Sequence, residues 1–155
     1  MNLEEAVRTY SHMLYRICII MLRNEQDAQD AVQEIYCRYL EKAPVFTDTE
    51  HEKAWLIKAA ANRCRDMLRF RVRHPQISID ELADSLITGQ EQQDTFTELL
   101  ELPARQRMVI YLYYVEGYRV KEIAQMLGIS QQAVKKRMQR GREQLRVIWK
   151  EECCR

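Results

Sequence analysis

A chain of 155 residues can hold one ordinary domain or two small helical ones, and 46% hydrophobic with 30% charged residues is the make-up of a globular protein. No run of about eighteen apolar residues occurs, and the opening MNLEEAVRTY carries acids where a leader would be basic, which argues against membrane insertion and against a secretory signal. The net charge of +1 conceals segregation: five basic against nine acidic residues in 1–50, seven against two in 51–74, none against six in 75–100 and twelve against six in 101–155.

With four glycines and three prolines in the whole length, the chain favours long helices, and the expected fold class is all-α. A first helix spans about Leu3 to Leu22, with Ala6, Tyr10, Leu14, Ile17, Cys18 and Met21 on one face. Asn24 caps a second, whose inward stripe is Ala28, Ala31, Val32, Ile35, Tyr39 and Leu40, with Asp27 as the acid of its first turn. After a loop over Pro44–Glu50, Thr49 and Glu52 have the spacing of a capping box for a third helix that runs to about Arg73. Residues 75–93 lack any basic residue, carry a second such spacing at Ser78 and Glu81, and read as an acidic linker. Thr95 and Glu98 cap again. Pro103 suits a first helical turn, followed by an apolar stripe of Met108, Val109, Leu112 and Tyr113 that ends near Gly117. Helices over Val120–Leu127 and from Gln131 to about Trp149 close the chain. The expected domains are 1–74 and 94–155, joined by 75–93.

The stretch VKEIAQMLGISQQAVKKRMQRG has the parts of a helix-turn-helix: Ala124 where two helices cross, Gly128 for a left-handed turn, Ile129 buried, and Ser130 as N-cap. Val134, Met138 and Gly141 fall inward, which leaves Gln132, Lys136 and Gln139 opposite them, flanked by Lys135 and Arg140. Gln pairs with adenine and Lys with guanine in a major groove, while arginines hold phosphates. An ordinary helical hairpin with a wet basic face is the plain alternative.

The third helix separates Leu56, Ile57, Ala60, Cys64, Met67 and Leu68 from a face of Trp55, Lys58, Asn62, Arg65, Asp66 and Arg69. Cations for phosphates, an amide for a base edge and an aromatic ring for stacking suit single-stranded DNA. Trp55 equally suits packing under the neighbouring helix. The alternation of basic with acidic blocks calls for a protein partner beside nucleic acid.

The segments DAQDAVQEIYCRYL (27–40), HEKAWLIKAAANRCRDMLR (51–69) and LPARQRMVIYLYYVEGYRVKEIAQMLGISQQAVKKRMQRGREQLR (102–146) resemble, in order, domains 2 and 4 of extracytoplasmic-function sigma factors of the sigma-70 family. The resemblance implies two helical domains, no catalytic residue, no metal and no cofactor. Asp30, Gln33 and Glu34 would grip the coiled coil of the β′ subunit of core RNA polymerase. Trp55, Lys58, Asn62, Arg65 and Arg69 would hold the −10 element, Asn62 capturing a flipped base in a pocket that the Pro44–Glu50 loop completes. Ser130, Gln131, Gln132, Lys135, Lys136, Gln139, Arg140 and Arg142 would bind the −35 element. The partners implied are core polymerase, promoter DNA and an anti-sigma factor, in the bacterial cytoplasm. The chain departs from the family in its short linker and its Cys-Cys-Arg end.

Two rivals remain in view. A plain helix-turn-helix regulator leaves the second basic face unexplained. An enzyme or metal protein would have to use His12, His51, His74 and five cysteines, which lack metal-ligand spacing, and no Walker or GxGxxG pattern occurs. The absence of CxxC, with Cys18, Cys37 and Cys64 in apolar helical patterns, fits a reducing compartment, and Cys153 and Cys154 read as a frayed tail.

Overall fold

The computed structural model describes residues 2–73 and 99–153, with side chains as far as Val72 and from Leu99 to Arg146. They fall into two compact, all-helical units, 2–73 and 99–153. The linker and its capping residues at 78, 81, 95 and 98 lie outside the described residues, as do the side chains of Cys153 and Cys154. No helix among the described residues is long and apolar enough to cross a membrane.

In the first unit, α1 (Leu3–Leu22) opens where Asn2 accepts the Glu5 N–H at 2.9 Å and closes on Arg23, whose φ of 55° turns the chain. Asn24 then caps α2 (Glu25–Lys42) by accepting the Asp27 N–H at 2.8 Å. α3 (Thr49–Arg73) returns across both. Leu14, Ile17, Ile20, Ile35, Leu56 and Ile57 are fully buried between the three helices, each worth about 2 kcal/mol of apolar transfer. Arg71 locks the far end of α3 to the α1–α2 corner, donating to the Leu22 carbonyl and pairing with Asp27. Cys18 and Cys64 are both buried, and a hydrogen bond to Cys18 together with burial pushes the Cys64 thiol up. A thiol held neutral in that way packs as a small apolar group.

Several expectations need correction here. Leu40 is 67% exposed, because it is turned roughly 100° around the helix from Tyr39, off the stripe that the bundle covers, and Val32 is only half-buried. Cys37 is exposed, and Met67 and Leu68 are half-buried where α3 outruns the bundle. The N-cap of α3 is Asp48, not Thr49: its carboxylate accepts the His51 N–H at 2.7 Å, and its carbonyl accepts the Glu52 N–H. Glu52 does not close a capping box. It turns inward, 2% exposed, and accepts the Tyr39 hydroxyl at 2.8 Å.

In the second unit, Pro103 sits just before α4 (Ala104–Tyr114), followed by α5 (Val120–Leu127) and α6 (Gln131–Cys153). Met108, Val109 and Leu112 are buried as expected, with Ile110 and Tyr111 beside them, while Tyr113 is exposed. Gly128 takes φ 68° at the end of α5, a backbone that a side chain would strain. Ser130 caps α6 by accepting the Ala133 N–H at 3.0 Å. Ile129 is half-buried rather than buried, since it sits in the turn itself.

Val134, Met138 and Gly141 do face inward, and at Gly141 the helices approach so closely that a Cβ would stand 3.0 Å from Ile110 Cγ1. Gly141→Val is therefore expected to destabilise the second unit by about 1–3 kcal/mol, read as a lowered denaturation midpoint. Gly141→Ala should cost far less, because the helix propensity gained, about 1 kcal/mol, offsets the tighter contact. A valine variant with the wild-type midpoint would show that Ile110 simply yields.

Candidate nucleic-acid interface

α2 and α3 run side by side, and the turns between Asp48 and Asn62 shape the groove that separates their outer surfaces. Trp55, Lys58, Ala59 and Asn62 of α3 line that groove together with Arg38 and Lys42 of α2, enclosing about 280 Å³. Trp55 is half-buried, its ring edge-on to Tyr39 at 6.1 Å and to Phe46 at 6.0 Å between centroids. Packing under the neighbouring helix and lining an open groove, which the sequence left as alternatives, are both true of it: Tyr39 and the loop support one side while the other faces the cavity. Such backing fixes the ring, so a base that stacks on it meets a surface already ordered.

Asn62 is half-buried at the groove's floor and accepts a hydrogen bond from Arg65 Nη2 at 2.6 Å. Arg65, Asp66 and Arg69 continue the ridge one and two turns on, all exposed. The six residues expected along this face thus form a continuous strip, of which Trp55, Lys58 and Asn62 share the cavity. Arg38, Lys42 and Lys58 make no ion pair among the described residues. Three uncompensated cations around one indole present a site for a nucleotide, phosphate to the cations and base to the ring.

Sequence reasoning missed Arg38 and Lys42. The signal was there: Glu34, Arg38 and Lys42 recur every four residues along one flank of the core stripe of α2. What the sequence could not give is the antiparallel register that sets them against α3. Glu34 shows that register directly, since Arg63 of α3 pairs with it and donates from Nη2 at 3.1 Å. Asp30 and Gln33 are exposed beside it, and Asp30 accepts from Gln26 at 3.1 Å. The exposed Leu40 is carried by the same helix.

The loop before α3 is itself ordered by rings and caps. Phe46 stacks on Tyr39 at 6.0 Å and meets His51 edge-on at 5.2 Å, and Thr47 donates its N–H to His51 Nδ1 at 3.2 Å. Burial, and then the Glu52 carboxylate beside it, push the Tyr39 hydroxyl up to about 12, so it stays protonated and keeps donating to Glu52.

In the second unit, Gln131, Gln132, Lys135, Lys136, Gln139, Arg140 and Arg142 are all exposed along α6, and Ser130 is occupied by its cap. Gln139 reaches towards Glu143 at 3.4 Å. Arg142 is held to α4, its Nε donating to the Tyr114 hydroxyl at 2.9 Å and its guanidinium 5.9 Å from that ring's centre. A guanidinium braced in this way loses less freedom when it meets a phosphate.

The class of protein follows from these two units and their known counterparts. Residues 6–74 match Sigma-70 region 2 and residues 96–145 match Sigma-70, region 4, so the chain belongs to the sigma-70 family of RNA polymerase sigma factors, in its extracytoplasmic-function group. Among its relatives, the ECF RNA polymerase sigma factor SigX of Bacillus subtilis is 28% identical, over 89% of this chain and 78% of that protein. SigW of the same organism is also 28% identical, over 92% and 86%. Of solved structures, the sigma factor RpoE of Bartonella quintana, in complex with the anti-sigma factor NepR, superposes with a TM-score of 0.74 at 23% identity, over 95% of this chain and 96% of that one. At that identity the likeness speaks for the fold.

Proposed function

We propose that this sigma factor works through three separate surfaces: residues 1–74 bind core polymerase and the −10 element, 94–155 bind the −35 element, and the acidic 75–93 segment links them. Asp30, Gln33 and Glu34 on α2 contact the β′ coiled coil. Trp55, Lys58, Asn62, Arg65 and Arg69 take the unpaired non-template strand, and the helix from Gln131 lies in the major groove of the upstream duplex. The chain performs no chemistry itself, binds no cofactor, and acts in the cytoplasm. A protein that masks these surfaces, as an anti-sigma factor would, is its natural inhibitor.

The observation that carries this reading is that one unit holds the groove of Trp55, Asn62 and three cations without an ion pair among the described residues, and the other unit holds a helix-turn-helix. A duplex-binding regulator has use only for the second. Footprinting separates the two: the protein with core polymerase should protect both elements, and the protein alone neither. Protection of duplex by the protein alone at the same concentration would favour the regulator.

Within α6 the contacts should divide by chemistry. Alanine at Gln132, Lys136 or Gln139 is expected to cost about 1–3 kcal/mol and relax preference at particular base pairs. Alanine at Lys135, Arg140 or Arg142 should weaken all sequences alike and lower the slope of log affinity against log salt by about one unit each. Intact sequence preference in the triple Gln132, Lys136 and Gln139 variant would contradict the assigned face.

A further inference from the structure

Two aromatic rings of the second unit stay in solvent at the last turn of α4: Tyr113 is 38% and Tyr114 58% exposed. A ring left in water forgoes the burial that normally decides where it sits. These two pack on each other instead, edge-on with centroids 4.9 Å apart. Tyr114 also gives its hydroxyl to a partner on another helix, since Arg142 Nε of α6 donates to it at 2.9 Å.

The register of the two helices explains why they meet. Gly141 lets α4 and α6 approach until a Cβ there would stand 3.0 Å from Ile110 Cγ1. Tyr114 lies one turn beyond Ile110 and Arg142 one residue beyond Gly141, so the close contact carries the guanidinium to the hydroxyl. The guanidinium stands 5.9 Å from the centre of the Tyr114 ring, and no ion pair holds it among the described residues. The bond occupies Nε alone, which leaves the two Nη groups for a ligand with paired acceptor oxygens, such as a phosphate. An exposed arginine samples many rotamers, and ordering it on binding has an entropic cost that a bond already made reduces.

We propose that Tyr114 is a positioning residue for the upstream duplex: its hydroxyl fixes the Arg142 guanidinium so that the Nη groups meet one backbone phosphate of the −35 element. The assignment rests on the placing of α6 in that duplex proposed above, and adds a residue from outside the helix-turn-helix. Tyr114 acts through Arg142 and reads no base. It should therefore raise affinity for every sequence without adding to the salt dependence, because a hydroxyl releases no counterion.

The test titrates holoenzyme, assembled from core polymerase and each variant, with duplex from upstream of the protein's own gene over a range of salt concentrations. Tyr114→Phe keeps the ring pair and removes the bond. It should weaken binding roughly threefold to tenfold throughout, with the slope of log affinity against log salt unchanged, because Arg142 still neutralises its phosphate. Arg142→Ala should weaken binding and lower that slope by about one. In the Arg142→Ala background, Tyr114→Phe should cost nothing more. Wild-type affinity in Tyr114→Phe overturns the assignment. So does a full further loss when Tyr114→Phe is added to Arg142→Ala, which is the mark of a structural role independent of the guanidinium. Arg142→Ala with wild-type affinity and slope would overturn the placing of Arg142 on a phosphate, and the role of Tyr114 with it.

Discussion

Replacing Gln33 with Ala and Glu34 with Lys is expected to abolish capture of core polymerase while leaving helical content nearly unchanged. Both side chains are exposed on α2, away from the buried Ala31 and Ile35. Removing them deprives an interface without hollowing a core, and a reversed charge at its centre costs more than a lost contact. One complication is built into the fold, since Glu34 also pairs with Arg63 of α3. A lysine there would face a like charge. The pair is half-exposed, so its loss should lower stability by no more than about 1 kcal/mol. Arg63→Ala serves as the control: it breaks the same pair, keeps Glu34, and should retain polymerase. Undiminished capture of β′ by the double variant would remove this surface from the account. Loss of capture in Arg63→Ala as well would mean that the pair, rather than the exposed face, is what matters.

Asn62→Ala is expected to spare core binding and −35 recognition yet sharply reduce open-complex formation on duplex promoters. Extruding a base costs a few kcal/mol, which the protein must recover through contacts that exist only once the strands have parted. Asn62 stands at the floor of the groove, one turn from Lys58, with its carbonyl oxygen held by Arg65. That bond orients the amide and leaves its N–H₂ for a base edge. The variant loses the base contact and also frees Arg65. A template already mismatched across the −10 element should rescue it in part, because the unpairing cost is gone while the contact is still missing. Permanganate reactivity of unpaired thymines reads both templates. Wild-type melting of the duplex by Asn62→Ala would show that the base is held elsewhere, by the loop from Pro44 to Glu50.

Much of this was legible in the sequence because helix signals are local. Asn24, Ser130 and Gly128 announce their caps and turns within a few residues, and the inward faces of α1 and α6 follow from periodicity alone. Errors arose where a tertiary neighbour decides the outcome. Leu40 stands to one side of the stripe that the bundle covers, and Tyr113 continues an apolar stripe past the point where another helix covers it. Thr49 and Glu52 have the spacing of a capping box, but Asp48 takes the cap and Tyr39 takes Glu52, a competition that only the packed α2–α3 corner can settle. The groove was half legible for the same reason. Its α3 wall is one helical stripe, whereas Arg38 and Lys42 join it through a register that no local pattern encodes.

Run-off transcription tests most directly whether this chain gives core polymerase its promoter. Core polymerase is supplied with the purified protein and a template carrying the region upstream of the protein's own gene. A discrete transcript that depends on the protein, and that disappears with the Gln33 and Glu34 double variant, is the predicted result. No transcript with active core polymerase and any such template, alongside tight duplex binding by the protein alone, would contradict it.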